Sequence, residues 1–124
     1  MTVIYLHGKS IVRDYKGTVC VSQLKDSAIR KRLHDFISDP SKRKWSQRAE
    51  HDIARIPGLT KEGLVVALCN FIRSGSEIEE TVNTQPGTGL PETVYVMKAD
   101  MQGRLLYIKC KFIELEGKES VFIY

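Results

Sequence analysis

The sequence lacks any long apolar run. The longest stretch, residues 63–69, is far shorter than the ~20 apolar residues that a membrane-spanning helix needs. The first nine residues have no charged region ahead of their apolar residues and no small-residue cleavage site after them, so we expect no signal peptide. The sequence therefore predicts a cytoplasmic protein without a membrane partner.

Metal and cofactor motifs are also missing. The three cysteines, Cys20, Cys69 and Cys110, are widely spaced and form no CxxC, and the three histidines do not supply metal-ligand spacing with them. We therefore expect three buried free thiols and no structural metal. No phosphate-binding glycine loop, HExxH or GxSxG is present. This pattern disfavours nucleotide hydrolysis and predicts no small-molecule cofactor.

Length and composition indicate one globular domain. The chain has 124 residues, of which 42% are hydrophobic and 27% charged, with no internal repeat, low-complexity tract or linker. A chain of this size buries enough surface for one core without a disulfide or a metal. We therefore treat residues 1–124 as a single domain.

Basic charge is concentrated in the first two fifths of the chain. Residues 1–48 hold eleven Lys and Arg residues against four Asp and Glu residues. Two basic triplets, residues 30–32 and 42–44, are followed by Arg48 and Arg55. Such clustering attracts a polyanion, and nucleic acid is the commonest one in cytoplasm. A solvated helix face explains the same charges equally well from charge alone.

The order of elements predicts an α+β fold. Two β-branched runs, residues 3–6 and 18–22, favour an N-terminal hairpin or two separate strands. Apolar spacing then predicts helices over about 27–37 with Ser27 as N-cap, over 45–56, and from Thr60 to the Ser-Gly pair at 74–75. A sixteen-residue loop, 76–91, precedes three strands at 93–97, 104–113 and 120–124. We thus expect about three helices packed on a small C-terminal antiparallel sheet.

Alternation along the second of these strands predicts a cationic sheet face. Tyr107, Lys109 and Lys111 share one face of the strand, and apolar residues occupy the other. Because Tyr95 alternates with valines on the first strand, we expect a tyrosine and a lysine to meet across the strand pair. A lysine that stabilises phosphorane charge beside a proton-transferring tyrosine is what a metal-free ribonuclease uses. Exposed sheet faces carry the same residues for solubility.

His51 is a candidate general acid or base. It lies one turn after Arg48 and one turn before Arg55 on the polar flank of the second predicted helix. A partly exposed helix histidine without a catalytic role fits the pattern as well. Trp45, at the head of the apolar stripe of this helix, is interpreted as a core anchor rather than as a base-stacking platform.

Several short sequence segments resemble those of a known family. They are Leu-His-Asp-Phe-Ile at 33–37, Trp-Ser-Gln-Arg-Ala at 45–49, Pro-Gly-Leu-Thr at 57–60, Thr-Val-Tyr at 93–95, and the strand after Gly103 that contains Leu-Tyr-Ile-Lys at 106–109. In this order they resemble the motility quorum-sensing regulator (MqsR) family of RelE-like toxins, which are messenger-cleaving ribonucleases. The resemblance implies a RelE/barnase-like core over residues 29–124, with residues 1–28 as an extension. It also implies Tyr95 and Lys109 as active-site residues and an antitoxin as a partner.

One position departs from the family. Where the family carries a functional lysine beyond its central helix, this chain has acidic residues at 77, 79 and 80. The catalytic centres of RelE-like ribonucleases vary, so His51, Arg48 and Lys111 are candidates to compensate.

These observations lead to one hypothesis and its alternatives. We predict a small metal-independent endoribonuclease toxin that cleaves RNA, most simply messenger RNA, and is neutralised by an antitoxin. The candidate catalytic residues are Tyr95, Lys109, His51 and Lys111, and the candidate RNA-binding residues are Lys42, Arg43, Lys44, Arg48 and Arg55. The alternatives are a non-catalytic nucleic-acid-binding module and a protein-binding module of antitoxin, immunity or phage accessory type.

Overall fold

A computed structural model describes residues 2–6, 9–14, 17–84, 91–101, 103–115 and 117–124; for residues 2–6, 9–14, 17–20, 83, 84, 91 and 115 the description stops at the backbone. The helices are α1 (Ser27–Ser38), α2 (Gln47–Arg55) and α3 (Lys61–Arg73). The strands are β1 (Thr2–Leu6), β2 (Lys9–Asp14), β3 (Gly17–Gln23), β4 (Arg43–Trp45), β5 (Glu79–Thr84), β6 (Pro91–Met101), β7 (Arg104–Leu115) and β8 (Lys118–Ile123).

Each helix begins at a side-chain cap. The Asp26 carboxylate accepts hydrogen bonds from the N–H groups of Ala28 and Ile29, the Ser46 hydroxyl from that of Ala49, and the Thr60 hydroxyl from that of Gly63. These bonds satisfy N–H groups that have no partner within the helix. Thr60 is the cap that the sequence predicts, whereas α1 is capped by Asp26 rather than by Ser27. Among the described residues, no helix has the length and apolarity to cross a membrane.

The strands form one mixed sheet in the order β1-β2-β3-β5-β6-β7-β8-β4. All neighbours are antiparallel except β4, which pairs in parallel with β8. The α+β class is confirmed. The sheet, however, has eight strands and is larger than the small C-terminal sheet expected from the sequence. The first 28 residues contribute β1, β2 and β3 to the same sheet through the pairing of β3 with β5.

Two sequence-based assignments between the helices and the last strands are wrong. Residues 76–91 were expected to be a loop, yet Glu79–Thr84 forms β5, since both β3 and β6 supply it with ladder hydrogen bonds. Residues 85–90 of that expected loop lie outside the described residues. Trp45 ends the short strand β4 instead of starting the second helix, because residues 43–45 pair with the end of β8.

The core lies between the three helices and one face of the sheet. Leu33 and Ile37 of α1, Leu68 of α3, and Met97 and Ile123 of the sheet are fully buried. Burying each of these side chains stabilises the fold by roughly 1.5–3 kcal/mol relative to leaving it exposed to water. Of the predicted buried thiols, those of Cys69 and Cys110 are confirmed as buried and free, and the side chain of Cys20 is not described.

Two tight turns fix the register of the last three strands. Met101 pairs with Arg104, and Leu115 pairs with Lys118, so each turn contains two residues. Their second residues, Gly103 and Gly117, have φ angles of 75° and 76°, which glycine adopts without a Cβ penalty. This register decides which side chains share a face of the sheet.

Candidate nucleic-acid interface

The sheet has a helix face, which the three helices cover, and an open face on the opposite side. Tyr95 pairs with Cys110 and Val96 with Lys109, so Tyr95 belongs to the helix face and Lys109 to the open face. The side chains of β6, β7, the end of β8 and the residue after it that belong to the open face are Glu92, Val94, Val96, Lys98, Asp100, Leu105, Tyr107, Lys109, Lys111, Ile113, Ser120, Phe122 and Tyr124. Of these, Val94 and Ser120 are buried between their neighbours. This surface is therefore the cationic, tyrosine-bearing face that strand alternation predicts.

A half-buried ion pair lies near the middle of this face. The Lys111 ammonium is 2.7 Å from a carboxylate oxygen of Glu92, and these side chains are 31% and 28% exposed. The same ammonium lies 5.8 Å from the ring centroid of Phe122 and 5.4 Å from that of Tyr124. Both distances are in the cation–π range. One carboxylate, one ammonium and two rings are thus held together.

A second, more exposed group lies toward the β6–β7 turn. The Lys98 ammonium is 2.9 Å from a carboxylate oxygen of Glu79 and 5.4 Å from the ring centroid of Tyr107. The hydrogen bond with Glu79 raises the pKa of Lys98, so this lysine stays charged. The Tyr107 ring is 63% exposed, which leaves most of it open to a ligand.

Lys109 lies between these two groups. Its backbone N–H donates to the carbonyl of Tyr124 at 3.1 Å and its carbonyl accepts from the N–H of Tyr124 at 2.9 Å, which fixes its position on the sheet. Its side chain is exposed and, within the described part of the chain, has no ion pair. Lys44 of β4 is also exposed and lies opposite Phe122. These two ammonium groups are therefore available to an anionic ligand.

Tyr124 beside Lys109 and Tyr95 on the helix face both remain protonated at neutral pH. Burial, together with the nearby Glu92 carboxylate, raises the pKa of Tyr124 to about 12. Burial and the Glu80 carboxylate raise the pKa of Tyr95 as well. Since both phenols disfavour ionisation, they act as hydrogen-bond donors or ring surfaces rather than as bases.

The expected meeting of Tyr95 with Lys109 does not occur. Tyr95 is 6% exposed on the helix face, where its ring packs edge-on against Phe112 at 5.9 Å between centroids. Lys109 points from the other face of the sheet. Because the sheet itself separates the two side chains, they do not reach one substrate from a common side.

Of the predicted residues of α2, only Arg55 shares a groove with open-face residues, namely Tyr107 and Tyr124. His51, Arg48 and Arg55 are exposed on this helix, which packs against the helix face through Ile53. Arg48 forms a loose ion pair with Asp52, at 3.9 Å between Nε and a carboxylate oxygen. The structure therefore does not bring His51 together with Lys109 and Lys111.

The basic triplet at 42–44 divides into three roles. The Arg43 guanidinium donates a 2.9 Å hydrogen bond to the carbonyl of Ile37 and so closes the C-terminal end of α1. The Lys42 ammonium lies 4.8 Å from the ring centroid of Phe36. Only Lys44 extends from the open face.

Four residues of the two charged groups on this surface were not singled out from the sequence: Glu92, Lys98, Phe122 and Tyr124. Two sequence signals point to them. The sequence signals are the two-residue turns that end at Gly103 and Gly117. Counting residues outward from each turn along its two strands predicts which residues face each other across the strand pair. By this count Phe122 falls opposite Lys111, and Tyr95 falls opposite Cys110 instead of Lys109.

Comparisons with protein-family models, with curated proteins and with solved structures give no match to this chain. Among the described residues, no cluster of three or more His, Cys, Asp or Glu side chains is placed to hold a metal ion. The interpretation of the open face therefore depends on its own geometry and charge.

Proposed function

We propose that the protein binds single-stranded RNA across the open face of its sheet. The observation that carries this proposal is the placement of Lys109 and Lys111 on one face with the rings of Tyr107, Phe122 and Tyr124. Single-stranded nucleic acid is bound by positively charged surfaces on which bases stack against aromatic rings. A sheet holds such rings at fixed positions, so little side-chain conformational freedom is lost on binding.

Each group has a distinct part in the proposed complex. The exposed Tyr107 ring offers a stacking surface for a base, which is worth about 1–3 kcal/mol per stacked base. The Lys109 and Lys44 ammonium groups attract backbone phosphates. Lys98 and Lys111 contribute less net charge because Glu79 and Glu92 lie at hydrogen-bond distance from them. The interface is therefore expected to be only moderately dependent on salt.

A second candidate function, RNA cleavage, is favoured by the Lys111–Glu92 pair. A carboxylate 2.7 Å from an ammonium, both half-buried, provides a proton acceptor beside a fixed cation. In this candidate reaction Glu92 accepts the proton of a 2′-hydroxyl, whose oxygen attacks the adjacent phosphorus while the bond to the 5′-oxygen breaks. Lys111 stabilises the developing phosphorane charge, and solvent protonates the departing 5′-oxygen. The products are a 2′,3′-cyclic phosphate and a 5′-hydroxyl.

The toxin hypothesis belongs to this second candidate. It includes the RelE/barnase-like form of the fold, a messenger RNA substrate, an antitoxin partner and a cytoplasmic location. What supports it is the α+β class together with exposed lysines on the sheet face opposite the three helices. The assignment of Tyr95 as an active-site residue is not carried forward, because its ring is buried on the helix face.

The binding proposal is tested by fluorescence anisotropy with a labelled single-stranded oligo-uridine and with duplex RNA of equal length. Lys109→Ala is compared with Lys31→Ala, which removes the same charge from an exposed position on α1. We expect tighter binding of the single strand. We also expect Lys109→Ala to reduce the slope of log K against log salt by about 0.7, as for one lost phosphate contact on a single strand. Equal effects of Lys109→Ala and Lys31→Ala would contradict the proposed surface.

Cleavage is tested separately with the same oligonucleotide, by mass spectrometry for a 2′,3′-cyclic phosphate. If the Lys111–Glu92 pair cleaves RNA, Glu92→Gln removes the product while binding persists, and Tyr95→Phe leaves the rate unchanged. If only Tyr95→Phe abolishes cleavage, the family-derived assignment is correct and the open-face site is wrong. Intact RNA with wild-type protein removes the second candidate and leaves the first in place.

A further inference from the structure

We infer that a groove between α2 and the start of β7 binds an acidic amphipathic segment of another protein. The groove has a volume of about 450 Å³ and is lined by residues of both faces of the sheet at the start of β7, together with residues of α2. This volume lies within the range of sites that hold a ligand group, about 300–1,000 Å³. Neither the proposed RNA surface nor the proposed cleavage pair includes its floor.

The floor of the groove is aliphatic. It is formed by Ile53 of α2, Leu64 of α3, and Leu106, Ile108 and Ile123 of the sheet. Among the described residues, no buried side-chain nitrogen or oxygen lacks a hydrogen-bond partner. The side chains of this floor carry no polar atom, so the polar edges of a nucleobase or sugar would be desolvated against them without compensation. Aliphatic side chains of a peptide suit the floor better than a nucleotide does.

The rim of the groove carries two arginines. Arg55 at the end of α2 and Arg104 at the start of β7 are both exposed and line the groove from opposite elements. In the described part of the chain, neither guanidinium forms an ion pair or a hydrogen bond. The carboxylate that lines the groove, that of Asp52, has Arg48 at 3.9 Å. The rim is therefore complementary to carboxylates, which guanidinium groups bind in a bidentate manner.

An apolar floor below a basic rim selects one kind of peptide. A helix with aliphatic residues at i, i+3, i+4 and i+7 places them on one side, and acidic residues at the flanking positions then face the arginines. This is the helix-in-groove mode of recognition. The partner is thus defined by its chemistry as an amphipathic segment with an acidic flank.

Occupation of the groove has a consequence for the open face. Tyr107 and Tyr124 line the groove and also belong to the proposed RNA surface. A bound segment is therefore expected to compete with RNA for these rings. This competition depends on the proposed RNA-binding function, whereas docking of the segment does not.

The test uses two displayed peptide libraries of about twelve residues that share aliphatic residues at helical spacing. One library carries Asp and Glu at the flanking positions and the other carries Lys and Arg. The most enriched acidic peptide is labelled and titrated against wild type, Arg55→Glu, Arg104→Glu and the control Lys31→Glu. Thermal melts of each variant establish that it is folded, which is expected because all three positions are exposed.

We expect enrichment from the acidic library and at least about a tenfold rise in Kd with each groove charge reversal, with no change for Lys31→Glu. Amide chemical shifts in NMR spectra should move at Ile53, Leu64 and Ile108 on addition of the peptide. Equal enrichment from both libraries, or binding insensitive to both arginines, would overturn the inference. The inference would also be overturned if the protein self-associated and Arg104→Glu blocked this self-association. It would likewise be overturned if uridine monophosphate, but not the peptide, shifted these amide signals. Peptide binding without displacement of RNA would remove the competition alone.

Discussion

Replacing Arg30 by Gln should destabilise the fold although Arg30 belongs to a surface triplet of basic residues. Its guanidinium donates hydrogen bonds of 2.8 Å to the carbonyl of Ile72 and 2.9 Å to the carbonyl of Ser76. The last carbonyls of a helix have no partner within it, so Arg30 closes the C-terminal end of α3 from α1. A hydrogen bond to a charged group contributes about 1.5–3 kcal/mol, and solvent at this half-buried site reduces that value.

We expect Arg30→Gln to lower the free energy of unfolding by about 2 kcal/mol, which corresponds to a fall in Tm on the order of 8 °C for a domain of this size. Lys31→Gln is the matched control, because it removes the same charge from the neighbouring, exposed residue. This control should change stability by less than about 0.5 kcal/mol. The free energies of unfolding of wild type and both variants are measured by urea unfolding followed by circular dichroism. Equal stability of the two variants would refute the role assigned to Arg30.

Two further predictions concern titration and thiol chemistry. The Asp39 carboxylate accepts hydrogen bonds from the hydroxyl and the N–H of Ser41, which lower its pKa from the ordinary 3.8. Its stabilising contribution is present above this value and is lost as pH falls through the lower folded pKa. The Tm difference between wild type and Asp39→Asn should therefore shrink in acid, and a constant difference would contradict this. Burial raises the pKa of the Cys110 thiol to about 12, and burial also raises that of Cys69. Iodoacetamide should label these two thiols only after unfolding, as followed by peptide mass spectrometry, and rapid labelling of the native protein would count against their burial.

Helices α1 and α3 were predictable because their signals are local. Apolar residues at helical spacing and a capping residue lie within one segment, as with Thr60 ahead of α3. In contrast, β5 has a weak strand signal, since Glu79 and Glu80 begin it and Val82 is its only aliphatic residue. Its conformation is set by two neighbouring strands that are distant in sequence. Tertiary pairing of this kind overrides local propensity.

The site was predictable in part. The sharing of one face by Tyr107, Lys109 and Lys111 follows from strand alternation alone. Choosing the tyrosine that accompanies the lysines also requires the register between strands. Tyr95 is excluded from the open face by its pairing with Cys110, while Tyr124 is brought there by its hydrogen bonds to Lys109. The family resemblance pointed to Tyr95, whereas the two-residue turn between β6 and β7 places Tyr95 on the helix face.

The pairing of β3 with β5 also affects the order in which the chain folds during synthesis. Strands β6, β7 and β8 follow one another through tight turns, so their contacts close over short loops and form early. Val19 instead pairs with Asn83, across the whole helical segment. During synthesis the N-terminal strands emerge first, but the edge of β3 stays unpaired until β5 has been synthesised. We expect the edge of β3 in the nascent chain to be the place where aggregation begins and where a chaperone binds.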